Sequence, residues 1–175
     1  MLSNTSFIFK LLNILFWIIF LGLCINTGSL LYSYFVSVAI NPGAANALSI
    51  GYNFEQLYQH STTSYSIIVF SMIFISALKA YIGYCTVRIF SEIKLDKPFS
   101  GKIYDIITDI SRVALWTGLL SITAQAYTKW LLHRDVDVPV HWSSGEILFF
   151  AGVIYIIAYV YRKGTELQSD NELTV

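Results

Sequence analysis

Residues 11–40 contain no charged side chain, and that run constrains the fold more than any motif in the chain. A bilayer hydrocarbon core is about 30 Å thick and is crossed by roughly 20 mainly apolar residues at 1.5 Å rise each. LLNILFWIIFLGLCI at 11–25 meets that need, and after Asn26-Thr27-Gly28-Ser29 the run continues through LLYSYFVSVAI to Ile40. A second stretch, 65–87, carries one charge, Lys79, and a third, 113–132, carries only Lys129, beside Trp130. A fourth, 147–161, extends back through Trp142. Inside lipid every backbone N–H and C=O must find a partner within the protein, so such segments are read as helices. The expectation is an all-α polytopic membrane protein, a four-transmembrane-helix bundle forming one domain over 1–175, with spans near 8–38, 63–88, 110–132 and 143–162.

Composition agrees and removes other classes. Hydrophobic residues are 55% of the chain and charged residues 13%, against roughly 25% charged in a soluble domain. The apolar excess excludes intrinsic disorder. A net charge of zero offers no basic surface for nucleic acid. Cys24 and Cys85 lie in apolar stretches, as inert thiols do, and two cysteines make no disulfide scaffold. Lys10 followed by an apolar run has the start of a signal peptide, but the run is too long and no Ala-x-Ala-like site follows. Leu23 stands before Cys24 where a lipoprotein site needs a small residue. A retained first helix is expected.

Lys10, Arg88, Lys94, Lys97, Lys102, Arg162 and Lys163 fall on one side of four alternating spans, and Lys129 and Arg134 on the other. The positive-inside rule then places both termini in the cytoplasm, with 41–62 as an outer segment, 89–102 as an inner loop and 163–175 as an inner tail. Asn41-Pro42-Gly43 ends the first helix. Tyr52, Phe54 and Tyr58 lie on the interface or cap the bundle. Pro98 bends the inner loop, and Ser100 is a candidate N-cap. From there Ile103, Ile106, Ile107 and Ile110 share one face of an amphipathic run into the third span. Trp130, Trp142, Tyr127 and Tyr161 suit aromatic belts, and Gly164 suits the end of the last helix.

Lys79 is the most informative single residue. A charge this deep costs at least ~2.5 kcal/mol on insertion scales, so it normally faces the bundle or water. Nine residues separate it from Arg88, about 13 Å along a helix. Side chains lean toward a helix's N-terminus, here the outer end, which favours an internal partner: Gln125, Ser121 and Thr117, spaced four apart on one face, or Asp109 further in. Snorkelling to the inner interface and a transport path are the other readings. Small and polar residues recur at helical spacing, among them Asn26, Ser37, Ser76 and Gly83. They fit close helix packing better than a pore.

His60, His133 and His141 all fall on the outer side with Glu55, Asp135 and Asp137. They are weak candidates for a metal, because no i,i+4 pair fixes two ligands on one helix. No histidine lies within a span, which excludes a transmembrane bis-histidine haem. No cofactor is expected. GxSxG, HExxH and P-loop motifs are absent, and Glu146 at the start of the fourth span suits anchoring more than chemistry.

Two inner segments carry a family resemblance. One is the Lys97-Pro98-Phe99-Ser100 corner; the other is Arg162-Lys163-Gly164-Thr165-Glu166-Leu167-Gln168 followed by Asn171-Glu172-Leu173-Thr174-Val175. With four spans and this length, they make the chain resemble the domain-of-unknown-function 2975 family of small bacterial membrane proteins. The resemblance implies no established activity and a bacterial cytoplasmic (inner) membrane location. The family's genes often lie beside genes for small Cro-like helix-turn-helix regulators, which points to such a regulator as a cytoplasmic partner. The first functional expectation is therefore a non-enzymatic component of the lipid bilayer that contacts a cytoplasmic protein through Pro98, Phe99, Leu167, Leu173, Thr174 and Val175, without binding nucleic acid itself. The alternative is a homo-oligomeric transporter or channel with Lys79 on its path. A membrane enzyme with an outer metal comes third.

Overall fold

The computed structural model describes the backbone of residues 2–41, 52–93 and 100–173, and side chains within 7–41, 52–93 and 100–168. It is all-α: α1 is Leu2–Ala39, α2 Glu55–His60, α3 Thr62–Glu92, α4 Gly101–Leu132 and α5 Ser144–Leu173. Four helices are long and apolar enough to cross a membrane, over Phe7–Ala39, Thr62–Glu92, Gly101–Leu132 and Ser144–Gln168. Their outward surface is apolar: Phe7, Ile25, Tyr32, Trp116, Phe149 and Tyr155 are all more than half exposed. Such a surface is stable only when lipid covers it, and the chain is a multi-pass membrane protein.

The starts of α3 and α4 follow from their sequence. Ser61 and Ser100 each stand in extended backbone just ahead of the helix. Their hydroxyls accept the N–H groups of Ser64 and Ile103, both at 3.3 Å, donors that would otherwise be orphaned in the first turn. Lys102 reaches across to Glu92 at 2.6 Å and ties the start of α4 to the end of α3.

Successive long helices pack antiparallel. At the end that carries α2, called outer after the expected orientation and the opposite end inner, Ser37 of α1 meets Tyr65 of α3 at 2.6 Å, and Tyr127 of α4 donates to Ser64 of α3 at 3.0 Å. Toward the inner end, Phe9 and Phe16 of α1 pack on Phe90 of α3. Ser111 of α4 donates to the Ala151 carbonyl of α5 at 3.1 Å. The chain ends of α1 and α5 therefore lie at the same end of the bundle as the α3–α4 loop. Close backbone contacts join α1 to α3, α3 to α4 and α4 to α5; among the described residues none joins α1 to α5. The four long helices thus pack in the order α1, α3, α4, α5, and among the described residues the bundle is not closed between its first and last helices.

The largest core sits at the outer end. Phe54 and Leu57, from the segment leading into and through α2, are buried against Tyr65, Ile68 and Val69 of α3. The outer segment thus caps the bundle, one of its two expected placements; residues 42–51 of it lie outside the described residues. Tyr65 is fully buried, and since the Ser37 hydroxyl already donates to the Tyr34 carbonyl at 2.8 Å, the Tyr65 hydroxyl is the donor to Ser37. Two smaller apolar clusters hold the inner end, one around Cys85, Ile106 and Ile110, the other around Ile103, Ile107 and Ala158. The isoleucine face expected on α4 is the buried one.

Two expectations require correction. Gly164 does not end the last helix, because α5 runs unbroken to Leu173. A glycine inside a helix costs only about 0.5–1 kcal/mol relative to alanine. Arg162 and Lys163 partly offset it by pairing with Glu166 at 3.1 and 2.7 Å, one helical turn on. Trp142 does not join an aromatic belt: it is buried, and its indole N–H donates to Thr128 at 3.0 Å. Asp135 and Ser143, both at positive φ (61° and 49°), bracket the connection that turns it inward. Trp130 is exposed as expected, with Tyr127 stacked on it and the Arg134 guanidinium 3.9 Å from its ring centre.

Candidate functional site

Unusual chemistry collects around Lys79. A cavity of about 200 Å³ is lined by Leu23 and Asn26 of α1, Ser76 and Lys79 of α3, and His141 and Trp142 of the α4–α5 connection. A second, separate recess of about 250 Å³ is lined by Lys79 and Ile82, by Thr117 of α4, and by Glu146, Ile147 and Phe150 of α5. Lys79 borders both. It sits in mid-helix, half-buried, and its lean toward the N-terminus of α3 carries it outward.

None of the expected partners bonds to Lys79. Thr117 lines the recess but donates to the Val113 carbonyl of its own helix at 2.7 Å. Gln125 accepts from the Ser144 hydroxyl at 2.8 Å and so fastens the start of α5. Ser121 is fully buried, and its hydroxyl oxygen has no hydrogen-bond partner. Asp109 lies 3.6 Å from Arg112 on its own helix. Among the described residues Lys79 has neither a hydrogen bond nor an ion pair. A Cβ on Gly118 would lie 2.5 Å from Leu148 Cδ2, so α4 and α5 are pressed together beside Thr117 and Ser121.

Beside Lys79 a polar cluster joins α1 to α3. Asn26 donates its amide nitrogen to the Ser76 hydroxyl at 3.2 Å, and Thr27 Oγ1 lies 2.8 Å from the same oxygen. Asn26 Oδ1 is buried and has no hydrogen-bond partner. A buried acceptor without a donor costs about 1–3 kcal/mol. Asn26 and Ser76 entered the sequence reading only as members of packing stripes; the missed signal was their place one turn outward of the lone intramembrane charge.

The outer histidines are not brought together. His60 and His133 are exposed, and His133 Nδ1 bonds to the Lys129 carbonyl of its own helix at 2.7 Å. His141 Nε2 lies 4.0 Å from Glu146, both strongly exposed. Among the described residues no group of three or more His, Cys, Asp or Glu side chains is placed to hold a metal.

At the opposite end, the Tyr161 hydroxyl accepts the Ser100 N–H at 3.2 Å. That bond joins the corner after Pro98 and Phe99 to the last turn before Arg162, so two segments far apart in sequence meet at one place. Pro98, Phe99, Thr174 and Val175 lie outside the described residues, as do the side chains of Leu173, Asp170 and Glu172. Leu167 is 66% exposed on the continuing helix.

Both of these joined segments fall within residues 50–175, the part of the chain matched by the family described as Protein of unknown function (DUF2975). The chain belongs to that family, and α1 lies outside the matched part. No curated protein and no solved structure matches it.

Proposed function

We propose that this protein is a non-catalytic component of the bacterial cytoplasmic membrane, with both ends in the cytoplasm, that engages a cytoplasmic protein through its inner end. The observation that carries the reading is the continuation of α5. A helix that left the bilayer only to anchor itself has no need to run on past Arg162 and Lys163, yet α5 continues to Leu173 and is fastened at Tyr161 to the corner before α4. Its charges nearest the bundle are satisfied within the helix, and Leu167 stands exposed beyond them. An apolar side chain on a helix tethered at the membrane surface suits a groove on a partner. A small helix-turn-helix regulator, the partner implied by the family resemblance, is the first to test. Regulation of such a partner requires no chemistry from the membrane protein, only capture and release.

Deleting residues 167–175 tests this. The truncated protein is expected to insert, keep its helix content in mild detergent, and lose co-purification with the regulator. Retention of the regulator at full-length yield rejects the reading. A second reading, a small transporter or channel subunit, is favoured by the position of Lys79 between two recesses. Loss of solute flux in a folded Lys79→Met variant would support it.

A further inference from the structure

We propose that the cavity lined by α1, α3 and the α4–α5 connection binds a small apolar monocarboxylate, a molecule of about benzoate size, with its carboxylate on the Lys79 ammonium. The inference stands apart from the cytoplasmic-partner reading, since no residue of the inner end lines this cavity.

Lys79 sets the charge of the ligand. Among the described residues lining the cavity it alone carries a full charge at neutral pH. Its three N–H donors have no acceptor among the described residues, whereas an intramembrane lysine normally pairs or faces water. Glu146 borders only the separate recess and makes no ion pair with Lys79; it lies 4.0 Å from His141 instead. One ammonium balances one negative charge. A carboxylate matches that, while a phosphate monoester, with a charge of about −1.5 to −2, exceeds it.

The walls set the body of the ligand. Asn26 and Ser76, the polar residues on the α1 and α3 sides, are bonded to each other at 3.2 Å. The Trp142 indole N–H is given to Thr128. The rest of the lining is mainly apolar, with Leu30, Met72, Ile75 and Trp142 all buried. An apolar cavity of about 150 Å³ takes up benzene, so one of about 200 Å³ has room for a ring bearing a carboxylate.

The cavity also has its own mouth. Met72 and Lys79 lie seven positions apart on α3, about 10 Å along the helix, so the cavity runs along the bundle with Lys79 at its deep end. The lean of Lys79 toward the N-terminus of α3 aims the ammonium up the cavity. Val140, His141 and Trp142 stand at the other end, in the connection between the spans Gly101–Leu132 and Ser144–Gln168. The His141 side chain is 84% exposed. The cavity therefore reaches the surface beyond the spans, where a carboxylate enters from water without crossing lipid.

Trp142 reports on the cavity it lines. Replacing the exposed or part-exposed Trp17, Trp116 and Trp130 by phenylalanine leaves it as the single fluorophore. The protein is placed in nanodiscs of neutral phosphatidylcholine at neutral pH and titrated with 4-bromobenzoate, whose bromine quenches indole, or with the uncharged 4-bromobenzamide. Saturable quenching by the acid and only linear, unsaturated quenching by the amide are expected. Loss of a charge-assisted bond predicts about tenfold or greater weakening in Lys79→Met, and binding within a few-fold of the wild type in Lys79→Arg. Val140→Phe, which fills part of the cavity without touching the charge, is expected to weaken binding several-fold and keeps the test decisive should Lys79→Met not fold. Equal saturable quenching by the amide, or native affinity in Lys79→Met or Val140→Phe, overturns the proposal. Displacement of the probe by acetate as readily as by benzoate overturns it too, since the apolar walls would then have no part in binding.

Discussion

Lys79 and Tyr65 show what single residues decide in this bundle. Lys79 stands in mid-helix between two recesses with no acceptor among the described residues, so its charge is a cost to the fold. Lys79→Met removes that cost and keeps the shape, and is expected to melt several degrees above the wild type in neutral detergent. Lys79→Glu places a second carboxylate on the recess that Glu146 already lines, and is expected to melt below it. Equal melting temperatures for the two variants would show that this side chain reaches water freely. Tyr65 is the opposite case, a polar group fully satisfied inside the core by Ser37. Tyr65→Phe forfeits one buried hydrogen bond, about 1 kcal/mol, because Ser37 keeps its own bond to Tyr34. A loss of more than about 3 kcal/mol in chemical denaturation, the upper end for an orphaned buried group, would mean the ring itself had been displaced. The charge at Lys79 was legible in the sequence; its surroundings were not, since which side chains α4 spends on α5 depends on where the two helices touch.

At the level of elements, the four long helices were readable from hydropathy, because a span has to be long and apolar whatever it packs against. Helix ends were less readable. Ser100 behaved as its position announced, but Gly164 did not, since a glycine inside a helix costs only about 0.5–1 kcal/mol and the pairing of Glu166 with Arg162 and Lys163 partly offsets it. The inward turn of Trp142 depends on two residues at positive φ, Asp135 and Ser143, and neither is a glycine that would have marked it. Glycines do mark the helix contacts, and unequally. A Cβ on Gly83 would meet Phe20 no closer than 3.5 Å, an ordinary contact, whereas one on Gly118 would meet Leu148 at 2.5 and 2.7 Å. Gly83→Ala is therefore expected to be neutral or stabilising, by up to ~1 kcal/mol through helix propensity. Gly118→Val is expected to cost about 1–3 kcal/mol by overpacking. Thermal unfolding followed by circular dichroism separates them, and equal effects would show that α4 and α5 are not in close contact there. Ser100→Ala removes an N-cap and is expected to cost ~1 kcal/mol.

The molecule as a whole joins an apolar body to two polar places, the Lys79 cavity in its outer half and the tethered helix at its inner end. Neither the packing order of the four long helices nor the meeting of Ser100 with Tyr161 was visible in the sequence, because both depend on which helices are neighbours in space. The charge asymmetry was visible, and the antiparallel packing gives it a geometric meaning. Lys10, Arg88, Lys102, Arg162 and Lys163 gather at the end that holds the α3–α4 loop and the end of α5. A negative cytoplasmic surface attracts such residues by about 1 kcal/mol each. Everything proposed for the inner end requires that end to face the cytoplasm. Impermeant maleimide labelling of single cysteines, introduced in a Cys24→Ser, Cys85→Ala background, tests this directly. Asp137→Cys, in the exposed α4–α5 connection, is expected to be labelled in intact spheroplasts, and Leu167→Cys only after the membrane is permeabilised. Labelling of Leu167→Cys in intact spheroplasts, with Asp137→Cys protected, would contradict the orientation and the cytoplasmic role built on it.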